Sequence, residues 1–202
     1  MQASLVIDGG ILAGGLATRM QGQDKGLQLY QNKAMVAWVC QALSPHVRKV
    51  IINCNRNTDL YRQFSPYVCS DTINGFPGPL AGLVSLIEYS DADYFLVSPC
   101  DTPLLTQKYA QIMLAFLDQQ LQLDQKQPQL FAVRSGDKQQ PLHLCISRAY
   151  KSSLEAYLSR GEHRVMEWMF ENQAKWVDFT TQSVLFKNFN RLEDLSADET
   201  AS

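Results

Sequence analysis

Short apolar runs alternate with segments of helical periodicity through the first two thirds of the chain. Leu5–Leu12, Lys49–Cys54 and Tyr94–Ser98 are brief, rich in Val, Ile, Leu or Phe, and bounded by turn residues, which predicts buried strands. Between them Met35, Val36, Trp38, Val39, Ala42 and Leu43 recur at helical spacing, as do Leu83, Leu86 and Ile87, and a further helix is predicted over Tyr109–Gln122. Strands separated by helices imply right-handed crossovers and a parallel sheet. Strand-like segments resume at Leu130–Arg134 and Leu142–Ser147, a pair that can run antiparallel. Helices over Ala149–Ser159 and Arg164–Asn172 and strands near Trp176–Phe179 and Val184–Lys187 complete the pattern. The predicted class is α/β, with a mostly parallel sheet and one or two antiparallel strands.

At 202 residues and 46% hydrophobic content, one domain with a full core is the expectation, over residues 1–195. The glutamine-rich stretch Asp118–Gln129 reads as a helix end and a solvated connection. Residues 196–202 are short, acidic and expected to be a flexible tail. A net charge of −2 gives no basic field for nucleic acid, so attraction for polyanions must be local. Five cysteines without any Cys-x-x-Cys pair suggest reduced thiols in a cytoplasmic protein. No apolar run reaches the ~20 residues that span a bilayer, so no membrane partner is expected.

In an open α/β sheet, ligands bind beyond the carboxyl ends of the strands. The first strand runs into Ala13-Gly14-Gly15-Leu16-Ala17-Thr18-Arg19-Met20-Gln21-Gly22-Gln23-Asp24-Lys25-Gly26. Its glycines let backbone N–H groups converge on an anion, and Arg19 and Lys25 add charge, as a triphosphate cradle requires. A plain turn with two solvated cations is the alternative. After the second strand come Asn53, Cys54, Asn55 and Arg56, and after the third Pro99, Cys100, Asp101, Thr102 and Pro103. Asp101 suits Mg²⁺ held between one carboxylate and substrate phosphates, or else caps a helix starting near Leu105. Asn53 and Asp71 suit a nucleotide base or ribose, or else stabilise turns. Gly75-Phe76-Pro77-Gly78-Pro79-Leu80-Ala81-Gly82 is a rigid helix entry, either purely structural or a wall against a flat base. His46, His143 and His163 lack zinc spacing, and no Gly-x-Ser-x-Gly elbow, Gly-Lys-Ser/Thr ending or Gly-x-Gly-x-x-Gly pattern occurs.

Taken in order, Leu12-Ala13-Gly14-Gly15, Arg19-Met20 and Asp24-Lys25-Gly26 resemble the signature of nucleotidyltransferases that activate sugars. With Asn53-Cys54-Asn55-Arg56, Gly78-Pro79-Leu80-Ala81-Gly82, Pro99-Cys100-Asp101-Thr102-Pro103, Gly161-Glu162-His163-Arg164-Val165-Met166 and Asn188-Phe189-Asn190, the chain is most similar to the MobA-type molybdenum cofactor guanylyltransferases. That resemblance implies a Rossmann-like three-layer nucleotidyltransferase fold that transfers GMP from GTP to the terminal phosphate of molybdopterin or Mo-molybdopterin. It implies nucleotide contacts from Leu12, Ala13, Gly14, Gly15, Lys25, Asn53, Asp71, Asp101 and the Gly78-Pro79-Leu80 wall. Arg19, Lys25 and Asp101 would be catalytic, with Asp101 holding Mg²⁺ or, as a substitute, Mn²⁺. The nucleotide half would span about residues 1–105, and the acceptor half about 106–195, with Arg164, Asn188 and Asn190 on the acceptor side. Transient contacts with cofactor-synthesis proteins and molybdoenzyme chaperones are also implied. The chain departs from the family in two places: Gln21 directly follows Arg19-Met20, and Arg191-Leu192 stands where Thr-Pro is common. A cytidylyl- or uridylyltransferase for a sugar phosphate, or a non-catalytic nucleotide- or cofactor-binding protein, is the competing expectation.

Overall fold

Buried on both faces, β1 (Ile7–Leu12) is an interior strand of a seven-stranded sheet. The computed structural model describes residues 5–14, 24–73, 78–124 and 127–189. A small hairpin follows, β2 (Leu29–Tyr30) with β3 (Lys33–Ala34). Its central residues Gln31 and Asn32 have φ of 49° and 59°, the backbone that a tight two-residue hairpin turn requires. Then come α1 (Met35–Leu43), β4 (Val50–Asn53), α2 (Thr58–Tyr61), β5 (Tyr67–Cys69), α3 (Pro79–Tyr89), β6 (Tyr94–Pro99) and α4 (Gln107–Leu123). The chain continues through β7 (Leu130–Ser135), β8 (Lys138–Ser147), α5 (Lys151–Ser159), α6 (Val165–Glu171) and β9 (Lys175–Asp178).

The strand order is β5-β4-β1-β6-β8-β7-β9, and β8 runs antiparallel to both of its neighbours while the other pairings are parallel. Alternation along the strands splits the core into two layers. Ile11, Ile52, Leu96 and Phe131 meet Val36, Val39, Tyr109 and Met113 of α1 and α4. Ile51, Phe95, Val97 and Leu144 meet Leu83, Leu86, Leu154 and Trp168 of α3, α5 and α6. The result is the α/β class with a mostly parallel sheet that the periodicity predicts, in the three layers that the family resemblance implies. Chain order turns back at β1, since β4 and β5 lie on one side and β6 on the other. A ligand crevice therefore opens at the carboxyl ends of β1 and β6. At the opposite end the buried Asp8 carboxylate is gripped by Arg48 Nε and Nη2, each at 2.9 Å, and by the Ser90 hydroxyl, so this charge is compensated far from the crevice.

Several elements differ from the sequence reading. Val184–Lys187 is not a strand: Thr180–Phe186 forms 3₁₀ turns on either side of a kink at Gln182, and the Phe186 ring stacks edge-on against Tyr109 and His143. Four apolar-rich residues cannot by themselves distinguish a strand from a buried turn. Strand β5 and helix α2 carry too few residues to show a period. Strand β8 begins four residues before Leu142, because Lys138, Gln139 and Gln140 pair through backbone groups with β7 without any apolar signal. Helix α4 starts at Gln107, with Thr106 as its cap residue, so Asp101 is not a helix cap. The residues 196–202 lie outside the described residues.

Candidate active site

Four residues form one row across the carboxyl edge of the sheet. Leu12 pairs with Asn53 on one side and Pro99 on the other, and Asn53 pairs onward with Cys69. The Ala13 N–H extends the row by donating to the Asn53 carbonyl at 2.8 Å. Side chains of Leu12 and Asn53 point toward α3, which comes close because position 82 is glycine. A Cβ there would stand 2.6 Å from Asn53 Oδ1 and 2.8 Å from Leu12 Cδ2.

Asp71 follows β5 and is clamped over this row. Its Oδ1 accepts from Asn53 Nδ2 at 3.0 Å and its Oδ2 from Asn55 Nδ2 at 2.7 Å, while its backbone N–H donates to Asn55 Oδ1 at 2.8 Å. Both amides are thereby committed to orienting one carboxylate, which still has lone pairs to offer. A cleft of about 570 Å³ lies beside it, lined by Leu12, Gly14, Asn53, Asn55, Arg56, Asp71, Gly78, Pro79, Pro99 and Leu142. Its volume suits a small molecule, and its lining is largely apolar with a few convergent polar groups. Leu142 enters because β8 runs antiparallel to β6, with Leu144 opposite Val97.

Lys25 and Asp101 lie outside that lining, beyond Pro99. Lys25 Nζ is 3.2 Å from Asp101 Oδ2, and both side chains are largely shielded. Asp101 Oδ1 is buried with no hydrogen-bond partner among the described residues. An orphaned carboxylate oxygen is costly unless something else occupies it, and a hard cation is a natural occupant. The donor set therefore fits one carboxylate ligand to Mg²⁺ from the protein. Phe189 N–H donates to the Asp101 carbonyl at 2.9 Å, which brings the exposed Asn188 beside the same loop.

Of the residues expected there, the structure gathers Leu12, Gly14, Asn53, Asp71, Gly78 and Pro79 around one cleft, while Ala13 is buried in the core beside it and Lys25, Asp101 and Asn188 lie outside the lining, past the carboxyl end of β6. Leu80 is buried behind Pro79 in the core of α3. Arg164 stands just before α6, exposed, with Nη1 donating to Glu167 Oε1 at 2.6 Å, and is not part of the cleft lining. Gly15, Arg19 and Asn190 lie outside the described residues. Asn55 is the residue whose role the sequence reading missed. The Asn-x-Asn spacing at the end of β4 is its signal, since residues two apart on an extended chain point the same way.

Residues 9–175 match the MobA-like NTP transferase domain. The molybdenum cofactor guanylyltransferase of Shewanella sediminis is 37% identical over 190 residues, 94% of each chain, and that of Shewanella piezotolerans is 35% identical over 94% of this chain and 90% of its own. Among solved structures, molybdopterin-guanine dinucleotide biosynthesis protein A from Archaeoglobus fulgidus has a TM-score of 0.75 at 17% identity, covering 96% of this chain and 97% of that one. The 4-diphosphocytidyl-2C-methyl-D-erythritol synthase of Anaerococcus prevotii has a TM-score of 0.68 at 9% identity, covering 95% of each. At such identities these two likenesses concern the fold. From the domain match and the two Shewanella relatives, the chain belongs to the MobA-like NTP transferase family.

Proposed function

We propose that this protein transfers GMP from GTP to the terminal phosphate of molybdopterin, free or molybdenum-loaded, and releases pyrophosphate. The observation that carries the reading is the Asp71 carboxylate, held by Asn53 and Asn55 in the lining of an apolar cleft at the same edge of the sheet as the Lys25–Asp101 pair. A fixed carboxylate is an acceptor only, and guanine presents two adjacent donors, N1–H and the 2-amino group. Cytosine and uracil each set an acceptor against it, which disfavours them. The fold itself does not choose the base, since the Anaerococcus synthase shares it.

In this reading an ionised oxygen of the acceptor phosphate attacks the α-phosphorus of GTP. The new P–O bond forms as the bond to the α–β bridging oxygen breaks, and pyrophosphate leaves with the electron pair. The nucleophile is already an anion near neutral pH, so no general base is needed. Lys25 offsets charge on the departing phosphates, and Arg19 of the glycine-rich loop is assigned the same task. Asp101 holds Mg²⁺ or Mn²⁺, which when bound neutralises phosphate charge. Leu12, Ala13, Gly14 and Gly15 supply backbone to the nucleotide, and Gly78 and Pro79 shape the wall against its base, with the buried Leu80 behind them. Positioning and electrostatics carry most of the rate. Residues beyond about 105, with Arg164, Asn188 and Asn190, form the acceptor half. The bond from Phe189 to Asp101 supports Asn188 on that side.

The same reading carries a cytoplasmic setting and transient contacts with cofactor-synthesis proteins and molybdoenzyme chaperones. Among the described residues no helix is long and apolar enough to cross a membrane. The deciding experiment combines a calorimetric nucleotide panel with a pyrophosphate-release assay. Release should require GTP, Mg²⁺ and molybdopterin together; tighter binding of CTP or UTP than of GTP overturns the assignment.

A further inference from the structure

Lysine is a long, flexible cation, and its value as a phosphate partner depends on how firmly its backbone is held. Both chain neighbours of Lys25 are fixed to one side chain. Asp24 is buried; its Oδ1 accepts the Tyr61 hydroxyl and its Oδ2 accepts Asn57 Nδ2 at 3.3 Å. Gly26 is buried as well, so closely that a Cβ would stand 2.6 Å from the Tyr61 hydroxyl oxygen and 3.2 Å from both Cβ and Sγ of Cys100. Tyr61 itself is fully buried at the end of α2, and burial pushes its phenol pKa up, so the hydroxyl keeps its proton and remains a donor. Cys100 directly precedes Asp101. The backbone of Lys25 is therefore bracketed between the Asp24–Tyr61 hydrogen bond and the Gly26–Cys100 contact, while its ammonium reaches Asp101.

Asp24 is no competitor for that ammonium. Among the described residues its carboxylate forms no ion pair, and each of its oxygens accepts a hydrogen bond, one from a phenol and one from an amide. A carboxylate buried next to a functional cation, yet directed away from it onto a neutral core donor, serves to anchor the backbone. We infer that Asp24 and Tyr61 are positioning residues for Lys25: the hydrogen bond between them fixes the phosphate-binding lysine at the carboxyl ends of β1 and β6. The inference rests on the reading of Lys25 as a nucleotide-phosphate ligand.

Four proteins test it: wild type, Tyr61→Phe, Lys25→Ala and the double variant. Each is checked by circular dichroism, titrated calorimetrically with Mg²⁺-GTP and with Mg²⁺-CTP, and assayed for GMP transfer. Tyr61→Phe keeps the ring in the core and removes the hydroxyl alone. It should weaken triphosphate affinity and transfer about tenfold when Lys25 is present, the scale of a hydrogen bond to a charged group. In the Lys25→Ala background the same change should cost less than about twofold, because residues acting as one unit are not additive. Equal losses in both backgrounds, or no loss with Lys25 present, overturn the inference. If Tyr61→Phe fails to fold, Asp24→Asn replaces it in the same cycle under the same criterion. A Lys25→Ala protein with undiminished triphosphate affinity removes the reading of Lys25 and this inference with it. An ordinary Lys25→Ala loss with an additive Tyr61→Phe loss removes the inference alone. If wild type favours CTP, the guanine assignment fails and the cycle is decided with CTP.

Discussion

Lys25 and Asp101, 76 residues apart in the chain, meet through Nζ and Oδ2 at 3.2 Å beyond the carboxyl ends of adjacent parallel strands. The pair keeps an ammonium and a carboxylate together where a triphosphate and its cation would arrive.

Removing either partner should abolish most of the chemistry. Lys25→Ala and Asp101→Ala are each expected to lower GMP transfer about a hundredfold or more, the scale of deleting a preorganised charge partner. Asp101→Ala should also weaken the Mg²⁺ dependence of GTP binding seen by calorimetry. Well-folded variants with near-wild-type turnover would remove both residues from the catalytic role.

Base recognition should fail separately from catalysis. Asp71→Asn replaces one acceptor oxygen with a donor, so it should reduce GTP affinity about tenfold and erase the preference for GTP over ITP, which lacks the 2-amino group. Asn55→Ala leaves Asp71 held by Asn53 alone and should cause a smaller loss in the same direction. An unchanged GTP-to-ITP preference in Asp71→Asn would show that this carboxylate does not read the base.

Position 82 should tolerate nothing larger than glycine. The added methyl of Gly82→Ala would stand 2.6 Å from Asn53 Oδ1 and 2.8 Å from Leu12 Cδ2, so α3 must move or Asn53 must turn. Overpacking of this kind costs about 1–3 kcal/mol. A lower urea midpoint at unchanged slope, together with weaker GTP binding, is the expected result. A variant with wild-type stability and affinity would mean that the row is free to relax.

His143 should govern part of the acid limb of stability. It is buried between Tyr109 and Phe186, with Nε2 3.4 Å from Thr102 Oγ1, and burial pushes its pKa down to about 3. Between the ordinary value of 6.5 and about 3, the unfolded chain takes up a proton that the folded one refuses, so stability falls as pH drops through that window. Above it the group contributes no pH dependence. Urea unfolding of His143→Leu should therefore be flatter with pH than wild type, by up to about 1.4 kcal/mol per pH unit. Parallel pH profiles would assign the acid limb to other groups.

The candidate site was partly legible because some of its signals are local. The run Leu12-Ala13-Gly14 at a strand end and the position of Asp101 after a third strand follow from hydrophobic period and turn residues. Asn53 and Asp71 were legible as residue types at strand ends or turns, and their mutual hydrogen bond across 18 positions was not. Strand β5, three residues long, supports Asp71 and yet gives no period to read. The segment Val184–Lys187 suggested a strand because a pair such as Leu185-Phe186 looks alike in a strand or a buried 3₁₀ turn.

By itself the sequence determined the longer strands and helices, the α/β class, the glycine-rich loop with Lys25, and Asp101 at the end of a strand. Each of these depends on residues within a few positions of one another. Tertiary structure decided the order β5-β4-β1-β6-β8-β7-β9, and with it the row joining Asn53, Leu12 and Pro99. It also decided the clamping of Asp71 by Asn55, the seat of Phe189 on Asp101 and the hold of Tyr61 on Asp24. The physical reason is that these contacts close long loops of chain. Their partners are selected by crossover handedness and by burial of two apolar layers, and neither leaves a mark on neighbouring residues.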